Sequence, residues 1–492
     1  MARSSIFPLL LIAGFSLFAS SAVQAQKKTT PPAYEKYIDD HADAHLKEFR
    51  ELVAIPSISS IPAHAADVTR AAQWIQQKMK AIGLSAVEII PTGGHPAVFG
   101  AWTNAPGKPT VLIYAHYDVQ PVKEPEWIHP PFTPTIEGDK LFGRGASDDK
   151  SGVMNALWAA EALLKTEGRL PVNLKFIFEG EEEEGSTHFK DLLEKNKDLL
   201  KADYLLNADD GQFDEQTPAM TVSLRGAVPL EFSIKTADID GHSGEFGGKT
   251  PNAAMIMAGI LNSFYDEKGN VAVEGFYDKV IPVSDEQKAM IAKIPYDPAD
   301  DMKLLGTTAE TGDTSYSPLE RIWYRPTLEI VGMESGYTAP DGHSNIIPGH
   351  AMARITCRLV NNQHGPEIVD LIIKHIKKVC PPGATPSFKF SGAYASPFQL
   401  PTNTKEYAYI ATVLTGLYGK PPLQLAAGGS VGAMLLFKEV LGLYAYPLGF
   451  QLKDEQWHAS NEFFRLSSMR KGQLAFCRYL QLVGKEAGKT KK

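Results

Sequence analysis

A doubly wound, mostly parallel α/β sheet with an inserted ferredoxin-like α+β domain is the fold the sequence predicts, on three observations. Between residues 110 and 206, apolar strand-like runs alternate with a helical segment, the pattern of parallel strands joined by crossovers. After about Pro218 the pattern changes to half-buried alternating strands with amphipathic helices. From about Pro397 the first pattern returns, so a smaller domain interrupts a larger one. With 492 residues, 43% of them hydrophobic, the chain can bury two cores.

In chain order, a helix is expected over residues 34–55, ended by Pro56, whose ring cannot continue it. Ile75, Met79 and Ile82 recur at helical spacing in a helix over 68–82, with Gly83 as its stop. Short strands follow near 87–90 and 97–102. Residues 110–114 are a continuous apolar run after Pro109, as a strand buried on both faces requires. A helix over 151–165 and strands at 173–178 and 204–206 complete the first part of the larger domain, expected over 34–218 and again over 396–486. In the insertion, 219–395, strands are expected at 228–234, 326–331, 353–359 and 387–390. Its helices fall at 251–264, with Thr250 as cap, and at 366–379; this order of elements is the ferredoxin-like one. Residues 266–325 are less regular and read as an elaboration. A helix near 407–417, a Gly428-Gly429-Ser430 turn opening another, and a helix over 462–482 close the chain.

Four chemical segments sit at or near the C-terminal ends of these elements: His116-Tyr117-Asp118, Ser147-Asp148-Asp149, the glutamates 181–184, and Ala208-Asp209-Asp210. In an open α/β sheet the strand ends converge on one crevice, so carboxylates distant in sequence can meet there around a cation. Histidine and carboxylate ligands without a thiolate suit zinc first, with manganese or cobalt as alternatives. Two such ions, ~3.5–4 Å apart, can activate a water and polarise a scissile carbonyl together, which needs one bridging acid, two ligands per ion and a base. An acidic run is ordinarily a solvated face, but glutamates 181–184 directly follow the apolar Phe176-Ile177-Phe178.

The segments His116-Tyr117-Asp118-Val119-Gln120-Pro121 and Gly143-Arg144-Gly145-Ala146-Ser147-Asp148-Asp149-Lys150 resemble two signatures of one family. It is the family of di-zinc exopeptidases that includes carnosine dipeptidases, carboxypeptidase G and succinyl-diaminopimelate desuccinylase. The resemblance extends over nearly the whole chain after its leader, through Glu182-Glu183-Glu184-Gly185-Ser186, His242-Ser243-Gly244, Arg358-Leu359-Val360 and His458-Ala459-Ser460-Asn461-Glu462. It implies that His116 and Asp209 bind one zinc, Glu183 and His458 the other, and Asp148 both. It further implies Glu182 as general base, Asp118 as the carboxylate that orients His116, and a cis Asp148-Asp149 peptide. The family form, two acids and one free residue before Gly-Ser, selects Glu182 and Glu183 and leaves Glu184 free; Tyr204, five residues earlier, selects Asp209, with Asp210 as the alternative. His242, Asn345 and Arg358 match substrate-contacting positions, His242 reaching across a homodimer into the partner's site. Arg358 as a plain strand surface residue is the alternative.

One departure concerns specificity. Dipeptidase relatives commonly carry Arg-Glu before the Gly-Gly-Ser turn, whereas this chain has Ala426-Ala427, which removes an acid that would meet a free substrate amine. Gly429 and Ser430 still offer N–H groups to a substrate carboxylate, or merely open a helix. The expected activity is hydrolysis of dipeptides or removal of a C-terminal residue by a metal-activated water. An N-acyl amino acid deacylase on the same site is the alternative, and a non-catalytic peptide-binding relative the distant one.

The 57 acids and 49 bases include no long basic block, which gives nucleic acid no electrostatic footprint. Arg3, the apolar stretch 6–18 and Val23-Gln24-Ala25 read as a secretory signal cleaved after Ala25, with an uncleaved anchor as the alternative. No other segment approaches the ~20 apolar residues of a spanning helix, so a periplasmic or secreted protein free of the membrane after cleavage is expected. Cys357, Cys380 and Cys477 are the only cysteines, and their odd number leaves at least one unpaired.

Overall fold

The computed structural model describes residues 31–486 apart from 339–341, 343, 391, 393, 430 and 431; the leader and Ser430 therefore lie outside the described residues. Six strands form the principal sheet, in the order Ala86–Ile90, Ala97–Trp102, Asn173–Glu179, Thr110–His116, Tyr204–Asn207, Ala445–Pro447. The last four are mutually parallel, and Ala97–Trp102 runs antiparallel to both its neighbours. Thr110–His116 lies near the centre and is buried from Val111 onward, which is why it reads as an unbroken apolar run. Helix Lys150–Glu167 packs on this strand and is covered by Leu466–Glu486. Gly152 lets the start of this helix lie close to the chain that leaves Tyr204–Asn207, because a Cβ there would come within 2.9 Å of the Ala208 carbonyl oxygen.

The insertion has a separate core. Its sheet, in the order Thr327–Ser335, His350–Leu359, Gly226–Lys235, Thr385–Lys389, is antiparallel throughout. Val228, Leu230, Phe232 and Ile234 alternate inward and pack with helices Ala253–Asn262 and Gly365–Val379 on one face. On the other face Glu231 pairs with Arg354 at 2.8 Å and Lys389 at 3.6 Å. Strand, helix, two strands, helix, strand is the ferredoxin-like order.

Three local expectations need correction, and the less regular segment 266–325 gains detail. The first helix is two, Ala33–Asp40 and Ala42–Val53, broken at His41. The cap of Ala253–Asn262 is Asn252, whose side chain accepts from the Met255 N–H at 3.2 Å, whereas the Thr250 hydroxyl donates to the Phe246 carbonyl. The closing helix starts at Leu466, because residues Phe463–Arg465 form a strand paired with Lys140–Phe142. Residues 266–325 contain three short helices, Asp285–Ile291, Pro298–Leu305 and Pro318–Tyr324, each started by a side-chain cap from Ser284, Asp297 or Ser317. The three cysteines are all free, and among the described residues no helix is long and apolar enough to cross a membrane.

Candidate metal centre

Parallel register assembles the site. His116 is level with Glu179 and Tyr114 with Asn207, so the turn carrying Glu182 and Glu183 and the loop carrying Asp209 emerge at the edge where Thr110–His116 ends. The buried His116 ring places Nδ1 3.3 Å from Asp118 Oδ1, and Nε2 3.0 Å from Asp148 Oδ1 and 3.8 Å from Asp209 Oδ2. On the other side of Asp148, His458 Nε2 lies 3.1 Å from Oδ2 and 3.2 Å from Glu183 Oε2. Two candidate ligand groups result: His116, Asp148 and Asp209, and Asp148, Glu183 and His458, with the ligand atoms of each within 4.8 Å of one another.

The glutamate run separates by environment. Glu181 is buried and accepts from the His95 N–H at 2.7 Å and lies 2.9 Å from His188 Nδ1, Glu184 is exposed, and Glu183 also accepts from Gln120 Nε2 at 2.8 Å. Glu182 faces a cavity of about 670 Å³ that Asp148, Asp209 and His458 also line. Asp209 receives Gln451 Nε2 at 3.1 Å, whereas Asp210 is occupied by the Gly211 N–H at 2.7 Å and the Thr221 hydroxyl at 3.1 Å.

Asp148 sits on a loop whose conformation is fixed from below. Its peptide to Asp149 is cis, and Asp149 caps helix Lys150–Glu167 through the Gly152 N–H. The buried Glu462 accepts the N–H groups of Gly145, Ser147 and Asp148 at 2.9, 2.9 and 3.1 Å and the Arg144 guanidinium at 2.8 Å. His458 itself adopts φ +59° in a loop where Gln456 and Asn461 are also left-handed, an uncommon conformation for non-glycine residues.

Burial raises Glu182 well above the usual carboxylate range and pushes Asp209 up to about 7, His116 opposing and Asp148 reinforcing the latter. Asp148 is also penalised by burial, but hydrogen bonds from His116 and His458 hold it below the usual range. Those same contacts, to Asp148 and Glu183, push His458 up to about 10. Crowded buried acids beside imidazoles, with no thiolate, fit a divalent cation in each group, since positive charge offsets the burial and the mutual repulsion that raise the acids.

The other expected site residues lie apart. His242 and Asn345 are exposed neighbours on a short ribbon, the Ser243 N–H donating to the Asn345 carbonyl at 2.9 Å, and neither lines the cavity. Gly429 is exposed. Arg358 is half-buried beside Arg225, whose Nε donates to the Gly428 carbonyl at 3.3 Å. Burial and the charge of Arg358 lower Arg225 to about 10. Arg225 beside this turn, with the Arg358 charge acting on it, suits an anion. Arg225, Gln451 and the carboxylate of Glu462 were not singled out from sequence; only Glu462 had a signal, its place in the His458 segment.

The model of Peptidase family M20/M25/M40 matches residues 112–482. The Beta-Ala-His dipeptidase of Rattus norvegicus is 28% identical over 446 residues, covering 87% of this chain and 90% of the relative. Human carnosine dipeptidase 1 superposes with a TM-score of 0.76 at 27% identity, covering 93% of this chain and 100% of that one. The M20 metallo-carboxypeptidase Sso-CP2 of Sulfolobus solfataricus gives a TM-score of 0.76 at 30% identity, over 90% and 99% of the two chains. With a matched family model spanning sheet, insertion and candidate ligands, the chain belongs to the M20/M25/M40 peptidase family and is a hydrolase of amide bonds.

Proposed function

We propose that this chain is an exported, homodimeric, metal-dependent exopeptidase that splits dipeptides or removes a C-terminal residue. The observation that carries the reading is Asp148, within 3.1 Å of two imidazoles that belong to different ligand groups, on a cavity wall shared with Glu182. His116 and Asp209 would hold one cation, Glu183 and His458 the other, and Asp148 both, with Asp118 orienting His116. Two divalent ions there, zinc first and manganese or cobalt as alternatives, would supply Lewis acidity for the attacking water and the scissile carbonyl. Glu182 then takes a proton from that water and returns it to the leaving amine nitrogen, both transfers using one carboxylate.

Relatives named as dipeptidases favour short peptides as substrates. Arg358, with Arg225 beside it, is suited to the substrate carboxylate, and Gly429 and Ser430 to the same group through their N–H donors. The exposed ribbon of His242 and Asn345 supports a homodimer in which His242 serves the partner's site. Exposed Val331 and Met333 on the edge strand Thr327–Ser335 give such a dimer an apolar surface. Export rests on the charged start, apolar stretch and small-residue site before residue 26.

Turnover of dipeptides against their N-acetylated forms by the metal-loaded protein tests this reading. Release of amino acids from free dipeptides or of the C-terminal residue from their acetylated forms supports it, and release of acetate alone would favour a deacylase, the second reading that Ala426-Ala427 suggests. Cleavage of neither overturns both.

A further inference from the structure

The cavity that contains Glu182 extends away from the ligand groups between the two domains. One wall is the strand Leu423–Ala427 and the start of helix Gly432–Leu441, which contribute Leu425, Ala426 and Met434. The other is the helical elaboration of the insertion, which contributes Ile294, Leu319 and Trp323. Ala426, Met434, Ile294 and Leu319 are buried and expose little of themselves to the cavity, so both walls are continuous with packed layers. Asp300 and Lys453 also line this part of the cavity, beside three acids that are engaged locally. Asp297 accepts from the Ala299 N–H at 2.9 Å as a helix cap, Asp301 from the Tyr296 hydroxyl at 2.7 Å, and Asp210 from Gly211 and Thr221.

Resting on the peptidase reading, we propose that these two walls form a subsite for a bulky apolar side chain, branched aliphatic or aromatic, on one of the residues flanking the scissile bond. A volume of about 670 Å³ exceeds what the reacting amide occupies, and lies within the range of pockets that enclose a whole small ligand. The surplus is lined by methyl, methylene and indole groups from both domains, with Asp297, Asp300, Asp301 and Lys453 beside them. An apolar side chain gains there by leaving water, whereas an acidic one would lose hydration beside the carboxylates of Asp297, Asp300 and Asp301. Ala426 matters because it keeps this wall small and uncharged. The segment thus acts as specificity wall for its own subunit's site.

The experiment is a kcat/KM comparison, on metal-loaded protein, of dipeptides carrying glycine, leucine, phenylalanine, lysine or aspartate at each of the two positions. At one position leucine or phenylalanine should exceed glycine by ~10-fold or more, and exceed lysine as well, with aspartate below glycine. Equal rates across the set, or preference for a charged side chain, overturns the subsite while leaving the peptidase reading intact. Trp323→Ala and Ala426→Asp, checked for metal content and thermal unfolding, should each shrink the leucine-to-glycine ratio. A ratio unchanged in both folded variants also overturns it. If no dipeptide is cleaved, the peptidase reading has failed, and the same side-chain series as N-acetyl amino acids then decides the subsite by the same ratio.

Discussion

The Asp118 carboxylate accepts the backbone N–H of Glu183 at 3.0 Å while its other oxygen accepts that of Glu182 at 3.2 Å. One side chain thereby ties His116 to the turn that carries both the proposed base and a proposed ligand. Asp118→Ala should loosen the imidazole and the turn together. The expected result is ~10- to 100-fold weaker metal affinity, the usual effect of losing such an orienting partner. Asp118→Asn, which keeps one acceptor, should fall between wild type and alanine; equal metal affinity in all three would refute the orienting role.

Glu182 and Glu183 are neighbours with different expected losses. Glu182→Gln should keep its metal and lose turnover by ~10²-fold or more, because ligand geometry survives while proton transfer does not. Glu183→Ala should instead lower metal content, read by elemental analysis, since its carboxylate lies 3.2 Å from His458 Nε2. Equal metal loss in both would mean that the roles are misassigned by one residue.

The fold was legible where one residue pattern dictates one environment. The apolar run 110–114 after Pro109 reads as a doubly buried strand, and alternation in 228–234 as a half-buried one. The segment 285–324 was harder, because helices of seven or eight residues barely complete two turns and bury few side chains. Yet Ser284 with Gln287, and Ser317 with Glu320, form capping boxes that the sequence displays openly. The candidate ligands were legible through their motifs. The supports of the loop before Asp148 were not, since Glu462 reads backbone N–H groups, which have no signature in a sequence.

That support makes Glu462 a stability determinant. Glu462→Ala would leave three N–H groups without their acceptor and the Arg144 guanidinium buried beside no carboxylate. Breaking a buried pair from one side is worth ~3–5 kcal/mol of destabilisation, measurable by denaturant titration of the apo-protein. Glu462→Gln should recover part of it. An unchanged midpoint in the alanine variant would contradict the assignment.

Chelation should abolish activity, and zinc, manganese or cobalt should restore it to different extents; a fully active preparation shown to be metal-free would end the mechanism. Metal ligands must be deprotonated, so acid competes with the cation for His116, His458 and the carboxylates. Activity and bound metal should therefore both be retained near neutrality and fall together below about pH 5. Metal retained with undiminished activity at pH 4 would contradict this.

His242 gives the last test. It is exposed, lies in the insertion and is not on the wall of the cavity that holds Glu182, so within one subunit it has no place beside the ligand groups. If each site borrows His242 from the partner subunit, Glu182→Ala and His242→Ala homodimers should both be inactive for different reasons. A heterodimer of the two variants has one site that lacks both residues and one that has both. Subunit exchange should then raise activity well above either parent, toward the one intact site in each heterodimer. No recovery despite demonstrated heterodimers, or a fully active monomer by light scattering, would refute the cross-subunit role and leave His242 a surface residue of the insertion.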